Sequence, residues 1–169
     1  MLRICAWCNK ELEVADHSNP LVITHGICPD CIIFIKSKKV SMRDFVNSFQ
    51  QPIIVVDWDV KAETANDAYL KFAGVGLQQI TGKFGGELLE CEYSFTPEGC
   101  GKSVCCSGCM TRKAITYTHQ TGESLQNVES FHHVKNADGT IRRIRLFIST
   151  EKLNDCVLVR MDKFEDLPS

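Results

Sequence analysis

The sequence lacks the marks of a membrane-spanning, secreted or general nucleic-acid-binding protein. Its longest apolar runs, residues 32–35 and 53–56, are far shorter than the roughly 20 residues that cross a bilayer. The N-terminal residues contain no apolar stretch of signal-peptide length. The charges nearly balance, since the chain contains 19 lysines and arginines and 21 aspartates and glutamates. Nucleic-acid binders, in contrast, are usually strongly basic. We therefore expect a cytoplasmic protein.

The composition is otherwise that of a soluble globular chain. Of the 169 residues, 44% are hydrophobic and 24% are charged, which provides enough apolar surface for a core. This length accommodates one ordinary domain with a small additional segment. The unusual feature is the presence of ten cysteines.

These cysteines form two groups and one isolated residue. Four lie within the first 31 residues, five lie between positions 91 and 109, and the last is Cys156. The first group is Cys5, Cys8, Cys28 and Cys31, and the second is Cys91, Cys100, Cys105, Cys106 and Cys109. Cys156 lies in an apolar stretch that predicts a strand, and we expect it to be an inert buried thiol.

The first group has the spacing of a four-cysteine zinc site. Two C-x₂-C pairs are separated by 19 residues, and each pair turns two thiolates toward one point, so that four can surround Zn²⁺. Such a closed site is structural, and zinc would fold a segment too small for its own core. Two disulfides or redox dithiols are the alternative, which a reducing cytosol disfavours. His17 and His25 could replace a thiolate, although a surface position suits them better.

The second group is a less regular set of candidate ligands. Cys106 and Cys109 form another C-x₂-C pair, and Cys100 lies between two glycines, which let backbone N–H groups approach an ion or cluster sulfur. We select Cys91, Cys100, Cys106 and Cys109 as metal ligands, with Cys105 as a spare or alternate. Zinc is the simplest occupant, and an iron–sulfur cluster uses the same thiolates. Packing of these cysteines as small hydrophobes is the alternative, which a polar, glycine-rich loop disfavours.

The remaining pattern predicts an α+β domain with one antiparallel sheet covered on one face by helices. Two strands, two helices and three strands are expected in that order, at about 52–57, 60, 64–74, 107–119, 125–135, 140–150 and 154–163. Before this domain, Pro29 at a helix start predicts a short helix, and Ser41 with Asp44 caps another.

Several short motifs in this order resemble a PAS domain. The strand in residues 49–57 is followed by residues 65–68 (A-N-D-A), which resemble the family's A-N-x-A helix, and by residues 80–82 (I-T-G), which resemble its I-x-G turn. Asp138-Gly139-Thr140 before a long strand is similarly PAS-like. The resemblance covers residues 42–166. It implies a PAS-like antiparallel sheet and a bacterial sensory or regulatory protein.

Two further segments resemble parts of bacterial signalling proteins. Residues 86–91 and 98–112 resemble a PAS subgroup that carries a four-cysteine insertion. Residues 4–8 and 24–31 are similar to a zinc-ribbon-like segment that occurs beside PAS and histidine-kinase modules. The chain is therefore divided into a zinc-ribbon-like segment at 1–40 and a PAS-like domain at 41–169, with the cysteine-rich insertion at 91–109.

Three functions follow from these observations. The leading one is a non-catalytic, metal-containing PAS module in bacterial signal transduction, which acts by binding a partner or a small ligand. The second is a redox sensor, in which an iron–sulfur centre or labile zinc–thiolate at 91–109 is oxidised. The third is a thiol oxidoreductase that uses Cys106 and Cys109 at a helix start, which the order of strands and helices disfavours.

The partners are expected to be proteins or a small ligand. PAS domains commonly pair through the helix before the first strand, so Phe45, Val46 and Phe49 could form a homodimer face. Nucleic acid is disfavoured, because the first 50 residues contain six Lys and Arg against five Asp and Glu. Three histidines are expected to be exposed rather than haem ligands, and these are His119, His132 and His133.

Overall fold

The computed structural model describes residues 2–5, 8, 10–12, 23–37 and 41–168. The chain divides into two compact units, Met1–Phe49 and Gln50–Ser169. The boundary predicted from the sequence lies between residues 40 and 41. His17 lies outside the described residues, as does the side chain of His25. No helix in the described ranges is long and apolar enough to cross a membrane.

The first unit contains a small three-stranded sheet and two helices. Its elements are β1 (Leu2–Cys5), β2 (Glu11–Leu12), β3 (Ile23–Gly26), α1 (Pro29–Ser37) and α2 (Met42–Asn47). Strand β1 is central, antiparallel to β2 and parallel to β3. The register places Cys5 opposite Gly26, so the end of β1 lies beside the segment that carries Cys28.

Both helices of this unit begin where the sequence predicted. Pro29 is the first residue of α1, and Ser41 caps α2 by accepting the Asp44 N–H at 3.1 Å. The expected homodimer face on α2 is not exposed, because Phe45 and Val46 are fully buried within the single chain. Phe49 packs edge-on against the Phe45 ring, with 5.3 Å between centroids.

The second unit is a five-stranded antiparallel sheet with helices between its second and third strands. Its elements are β4 (Ile53–Val56), β5 (Ala62–Ala65), α3 (Asp67–Ala73), α4 (Gly85–Leu88), α5 (Met110–Thr121), β6 (Leu125–Lys135), β7 (Ile141–Leu153) and β8 (Cys156–Leu167), with 3₁₀ turns at Leu77–Gln79, Glu92–Phe95 and Val104–Gly108. The strand order is β5-β4-β8-β7-β6, and every pair is antiparallel. The predicted α+β fold with one antiparallel sheet is confirmed.

One hydrophobic core joins the sheet to the helices. Ile54 and Val56 of β4 share it with Val157 and Val159 of β8, because β-strand side chains alternate between faces. Tyr69 of α3 belongs to the same buried cluster, as do Ala114 and Ile115 of α5. The helices therefore cover one face of the sheet, and the cysteine-bearing segment 91–109 leads directly into α5.

The two main helices start three residues later than predicted, for local reasons. Residues 62–65 pair with β4 as a strand, and the Asn66 side chain then caps α3 by accepting the Tyr69 N–H at 2.9 Å. Before α5, residues 104–108 form a 3₁₀ turn, so the helix begins at Met110. In each case the residues just before the helix form the hydrogen bonds of the preceding element, so the helix begins later in the sequence.

Two candidate cysteine sites and a buried cavity

The first cysteine group converges on one point. The sulfurs of Cys5, Cys8, Cys28 and Cys31 all lie within 4.8 Å of one another, and the Sγ atoms of Cys8 and Cys28 are 3.7 Å apart. Four thiolates around one zinc ion, with Zn–S bonds of about 2.3 Å, stand about 3.8 Å from each other. These four cysteines therefore have the spacing to hold one metal ion.

Backbone N–H groups donate hydrogen bonds to two sulfurs of this first group. The Cys28 N–H donates to Cys5 Sγ at 3.4 Å, and the Cys31 N–H donates to Cys28 Sγ at the same distance. Burial, followed by the neighbouring thiols, raises the pKa of Cys31. A bound cation counteracts this effect, because it stabilises the deprotonated ligands.

The second group lines one end of a cavity instead of converging on a point. Among the described residues, which include all five of these cysteines, no three of their sulfurs lie within 4.8 Å of one another. The four selected ligands, with the spare Cys105, all line the same cavity. Cys105 is exposed, whereas Cys91 is buried and Cys100, Cys106 and Cys109 are half-buried.

One backbone N–H group donates to a sulfur of this second group, from Gly101 to Cys106 Sγ at 3.3 Å. The backbone of Gly86 lowers the pKa of Cys100, and the backbone of Tyr93 lowers that of Cys91. A Cβ atom at Gly86 would lie 2.6 Å from Cys100 Sγ, so this approach requires glycine. Burial nevertheless raises the pKa of both Cys91 and Cys100.

Arg112 lies beside this second group. Its guanidinium contacts Gly101 and lies 5.8 Å from the centroid of the Phe84 ring. Its positive charge lowers the pKa of Cys100, although burial outweighs it. Among the described residues, no carboxylate forms an ion pair with this guanidinium. A positive charge therefore faces the thiols from the first turn of α5.

The cavity extends from the cysteines into the core of the second unit. It measures about 270 Å³. Its inner wall is apolar and includes Ile54, Val56, Ile115, Val159 and Met161. An apolar cavity of about 150 Å³ can hold benzene, so this space is large enough for a bicyclic or short-chain molecule.

Tyr69 places a polar atom in this apolar wall. The side chain is fully buried and lines the cavity, and its hydroxyl has no hydrogen-bond partner among the described residues. Burial raises the pKa of Tyr69 well above its usual range, so the hydroxyl stays protonated. An unpaired buried hydroxyl costs about 1 to 3 kcal/mol, and a ligand with a polar atom would remove this cost.

A hydrogen-bonded triad ties the start of α5 to β6 at the cavity wall. Thr111 Oγ1 donates to Ser130 Oγ at 2.9 Å, and His132 Nε2 lies 3.0 Å from Thr111 Oγ1 and 3.1 Å from Ser130 Oγ. Burial, with a smaller contribution from His133, lowers the pKa of His132 to about 4. His132 is therefore neutral at pH 7, and its Nε2 can accept from a hydroxyl.

Acidification should destabilise the protein through His132. An unfolded histidine has a pKa near 6.5, so between pH 6.5 and 4 the unfolded state binds a proton that the native state does not. Stability contributed by neutral His132 is thus present above pH 6.5 and falls as the pH decreases. We expect His132→Gln to reduce the loss of unfolding free energy between pH 7 and pH 5 by about 2 kcal/mol, measured by urea denaturation.

The neighbouring residue provides the control for this experiment. His133 is partly exposed, with its Nδ1 3.4 Å from a Glu92 carboxylate oxygen. His133→Gln leaves the buried His132 in place and should retain the acid-dependent loss. An unchanged pH dependence in His132→Gln would contradict the expected role of His132.

Two of the three histidines are buried, contrary to the sequence-based expectation. His119 is 3% exposed and His132 is 6% exposed. The His119 Nε2–H donates to the Asp57 carbonyl at 2.7 Å, and the Trp58 ring lies 5.1 Å away. Only His133 is partly exposed.

Four residues of the sites were not selected from the sequence, and these are Tyr69, Gly86, Arg112 and His132. The alternation of β6 contained a signal for one of them, because Ser130, His132 and Val134 are all buried on one face. The other three act through contacts with residues more than ten positions away in the chain. Such contacts have no local signature. Cys156, in contrast, is buried as expected, and burial raises its pKa to about 11.

Comparisons with known proteins find similarity in structure but not in sequence. No family model matches the chain, and no curated protein matches it. The similar solved structures include the PAS domain of BvgS from Bordetella pertussis, at 17% identity and a TM-score of 0.44, covering 83% of this chain and 88% of that one. Four of the similar solved structures are described as PAS domains.

Two further solved structures are similar to this chain. A domain of a sensory box histidine kinase/response regulator from Geobacter sulfurreducens is 14% identical, with a TM-score of 0.47, and covers 78% of this chain and 96% of that one. The PAS domain of the RpfR quorum-sensing receptor from Cronobacter turicensis, in complex with C12:0, is 17% identical, with a TM-score of 0.43, and covers 71% and 96%.

Proposed function

We propose that this protein is a non-catalytic, metal-containing PAS sensory module that binds a small ligand in the cavity of its second unit. The observation that carries the proposal is the fully buried Tyr69 hydroxyl, which lines an apolar cavity of about 270 Å³ and has no partner among the described residues. Apolar pockets with a few placed polar groups are the usual form of small-molecule sites.

The ligand is an apolar molecule with at least one hydrogen-bonding group. The apolar wall around Ile54, Ile115 and Val159 supplies the burial, and the Tyr69 hydroxyl supplies the one directional contact. The similar PAS domain from Cronobacter turicensis was solved with C12:0, a molecule of this general chemistry. An apolar site with one polar atom selects ligands mainly by shape and by that single hydrogen bond.

The two cysteine groups are the metal sites of this proposed module. We propose that one zinc ion binds Cys5, Cys8, Cys28 and Cys31 as a structural ion. The second metal centre is held by Cys91, Cys100, Cys106 and Cys109, and the Gly101 N–H donates to Cys106 Sγ. Because this second centre adjoins the cavity, occupancy of either one changes the surroundings of the other.

The output of this module is transmitted by protein contact. We propose a bacterial, cytoplasmic protein that pairs with a second copy or with a signalling protein. Since Phe45 and Val46 are buried, such a contact uses other residues than those two.

Binding of a matched pair of probes tests the ligand site. Naphthalene and 1-naphthol differ by one hydroxyl, and we expect 1-naphthol to bind about 3- to 10-fold more tightly, which corresponds to one hydrogen bond of about 0.7 to 1.4 kcal/mol. Tyr69→Phe should abolish this difference while both probes still bind. Dissociation constants are measured by isothermal titration calorimetry.

The control variant is Tyr117→Phe. Tyr117 is a tyrosine of α5. Its side chain is exposed, and its hydroxyl donates a hydrogen bond to the Glu123 carboxylate. This variant should retain the preference for 1-naphthol. Absence of binding by either probe, or an unchanged preference in Tyr69→Phe, would overturn the proposed ligand site.

A further inference from the structure

We propose that Cys91, Cys100, Cys106 and Cys109 bind an iron–sulfur cluster and not a single zinc ion. This inference rests on the proposed second metal centre and names its cofactor. The four cysteines line a common cavity, yet among the described residues no three of their sulfurs lie within 4.8 Å. A lone tetrahedral ion needs its sulfurs about 3.8 Å apart. A cluster places several iron and sulfide atoms between its thiolates, which therefore stand farther apart.

The first cysteine group provides an internal standard for this comparison. Its four sulfurs lie within 4.8 Å of one another in the same chain, so the fold does bring thiols together where one ion suffices. The second group instead surrounds part of a space of about 270 Å³. The difference between the two groups is one of spacing, since both offer four cysteines.

The backbone around the second group is suited to a cluster. Cys106 Sγ accepts the Gly101 N–H at 3.3 Å. Such N–H···S hydrogen bonds stabilise cluster-bound thiolates and tune the reduction potential of the cluster. The absence of a side chain at Gly86 lets its backbone approach Cys100.

The local charge is also suited to a cluster. Four thiolates bound to a cluster leave it with a net negative charge. Arg112 forms no ion pair with a carboxylate within residues 41–168, and its guanidinium contacts Gly101 next to Cys100. We therefore assign Arg112 as a positioning residue that supplies a counter-charge to the bound cluster.

Metal and sulfide analysis of the full chain tests this inference. The protein is purified without oxygen and then incubated anaerobically with iron salts, sulfide and a thiol reductant. We expect bound iron and acid-labile sulfide, visible absorption, and one zinc per chain at the first site. Cys100→Ser should lose the iron and sulfide and keep the zinc. Cys156→Ser, which changes a thiol outside both cysteine groups and outside the cavity lining, should keep all three.

The potential of the cluster tests the role of Arg112 separately. Removal of a positive charge disfavours the reduced, more negative state, so Arg112→Gln should shift the reduction potential to more negative values, and Arg112→Lys should restore part of the shift. A protein with two zinc ions and no iron or sulfide after incubation would overturn the cluster. Loss of 1-naphthol selectivity concerns the ligand site alone, so failure of the two proposals can be distinguished.

Discussion

Replacement of Cys28 by serine should abolish zinc binding at the first site and unfold the N-terminal strands and α1. Cys28 is 1% exposed, and its Sγ atom lies 3.7 Å from Cys8 Sγ. Among the described residues, this cluster buries three cysteines, against which Leu12 and Ile27 pack. Structural zinc sites supply on the order of 10 to 16 kcal/mol of binding free energy at pH 7, far more than so small a core.

Zinc content and amide hydrogen exchange measure this effect. We expect Cys28→Ser to contain no zinc at this site and to lose protection across β1, β3 and α1. Residues of the second unit should keep their protection, because their core is built from residues 54–161. Chelation of zinc from the native protein should have the same result.

The exposed Cys105 gives a matched control. Cys105→Ser makes the same chemical change outside the first site and should retain both zinc and protection. If Cys28→Ser kept one zinc per chain and normal protection over residues 2–37, the structural role of the first site would be wrong.

Replacement of Asn66 by alanine should destabilise the second unit by on the order of 3 to 5 kcal/mol. This side chain is completely buried. Its Oδ1 accepts the N–H groups of Ile53 and Tyr69, each at 2.9 Å, and its Nδ2 donates to the Gln51 carbonyl at 2.8 Å. Alanine leaves two donors and one acceptor without these partners, at the junction of β4 and α3.

The change is measured as the free energy of unfolding in urea. Asn136→Ala provides the control, because the Asn136 Nδ2 donates to Thr140 Oγ1 at 2.9 Å in an exposed hairpin turn. A solvent-exposed bond of this kind should contribute less than about 0.5 kcal/mol. Equal losses in the two variants would show that burial of the Asn66 network is not what stabilises this junction.

The sequence predicted elements best where the local chemistry was strong. The β-branched run at residues 53–56 forms a buried strand, and the turn at 136–139 closes a hairpin, with the Gly139 N–H bonded to the Asn136 carbonyl at 2.9 Å. Helix starts were less accurate. At Asn66 the side chain could continue a helix or cap one, and pairing of β5 with β4 determined that it caps α3.

Burial of individual residues was harder to predict than the type of element. His119 occupies the last turn of α5 and is buried near Trp58 in the turn between β4 and β5, a contact between residues more than 60 positions apart. Phe45 and Val46 form an apolar face that could serve a partner or the chain itself, and the chain buries them. Amphipathic patterning identifies an apolar face, but it does not identify what covers that face.

The sequence by itself determined the chemistry of the two cysteine groups, because thiols at C-x₂-C spacing are held close by the local backbone. It also determined the order of strands and helices, since hydrophobic periodicity is a local property. The tertiary structure alone decided that the first group has the spacing for one ion and the second does not. It also placed Tyr69, Arg112 and His132 around one cavity. Their positions depend on packing between distant segments, and no local pattern encodes such distances.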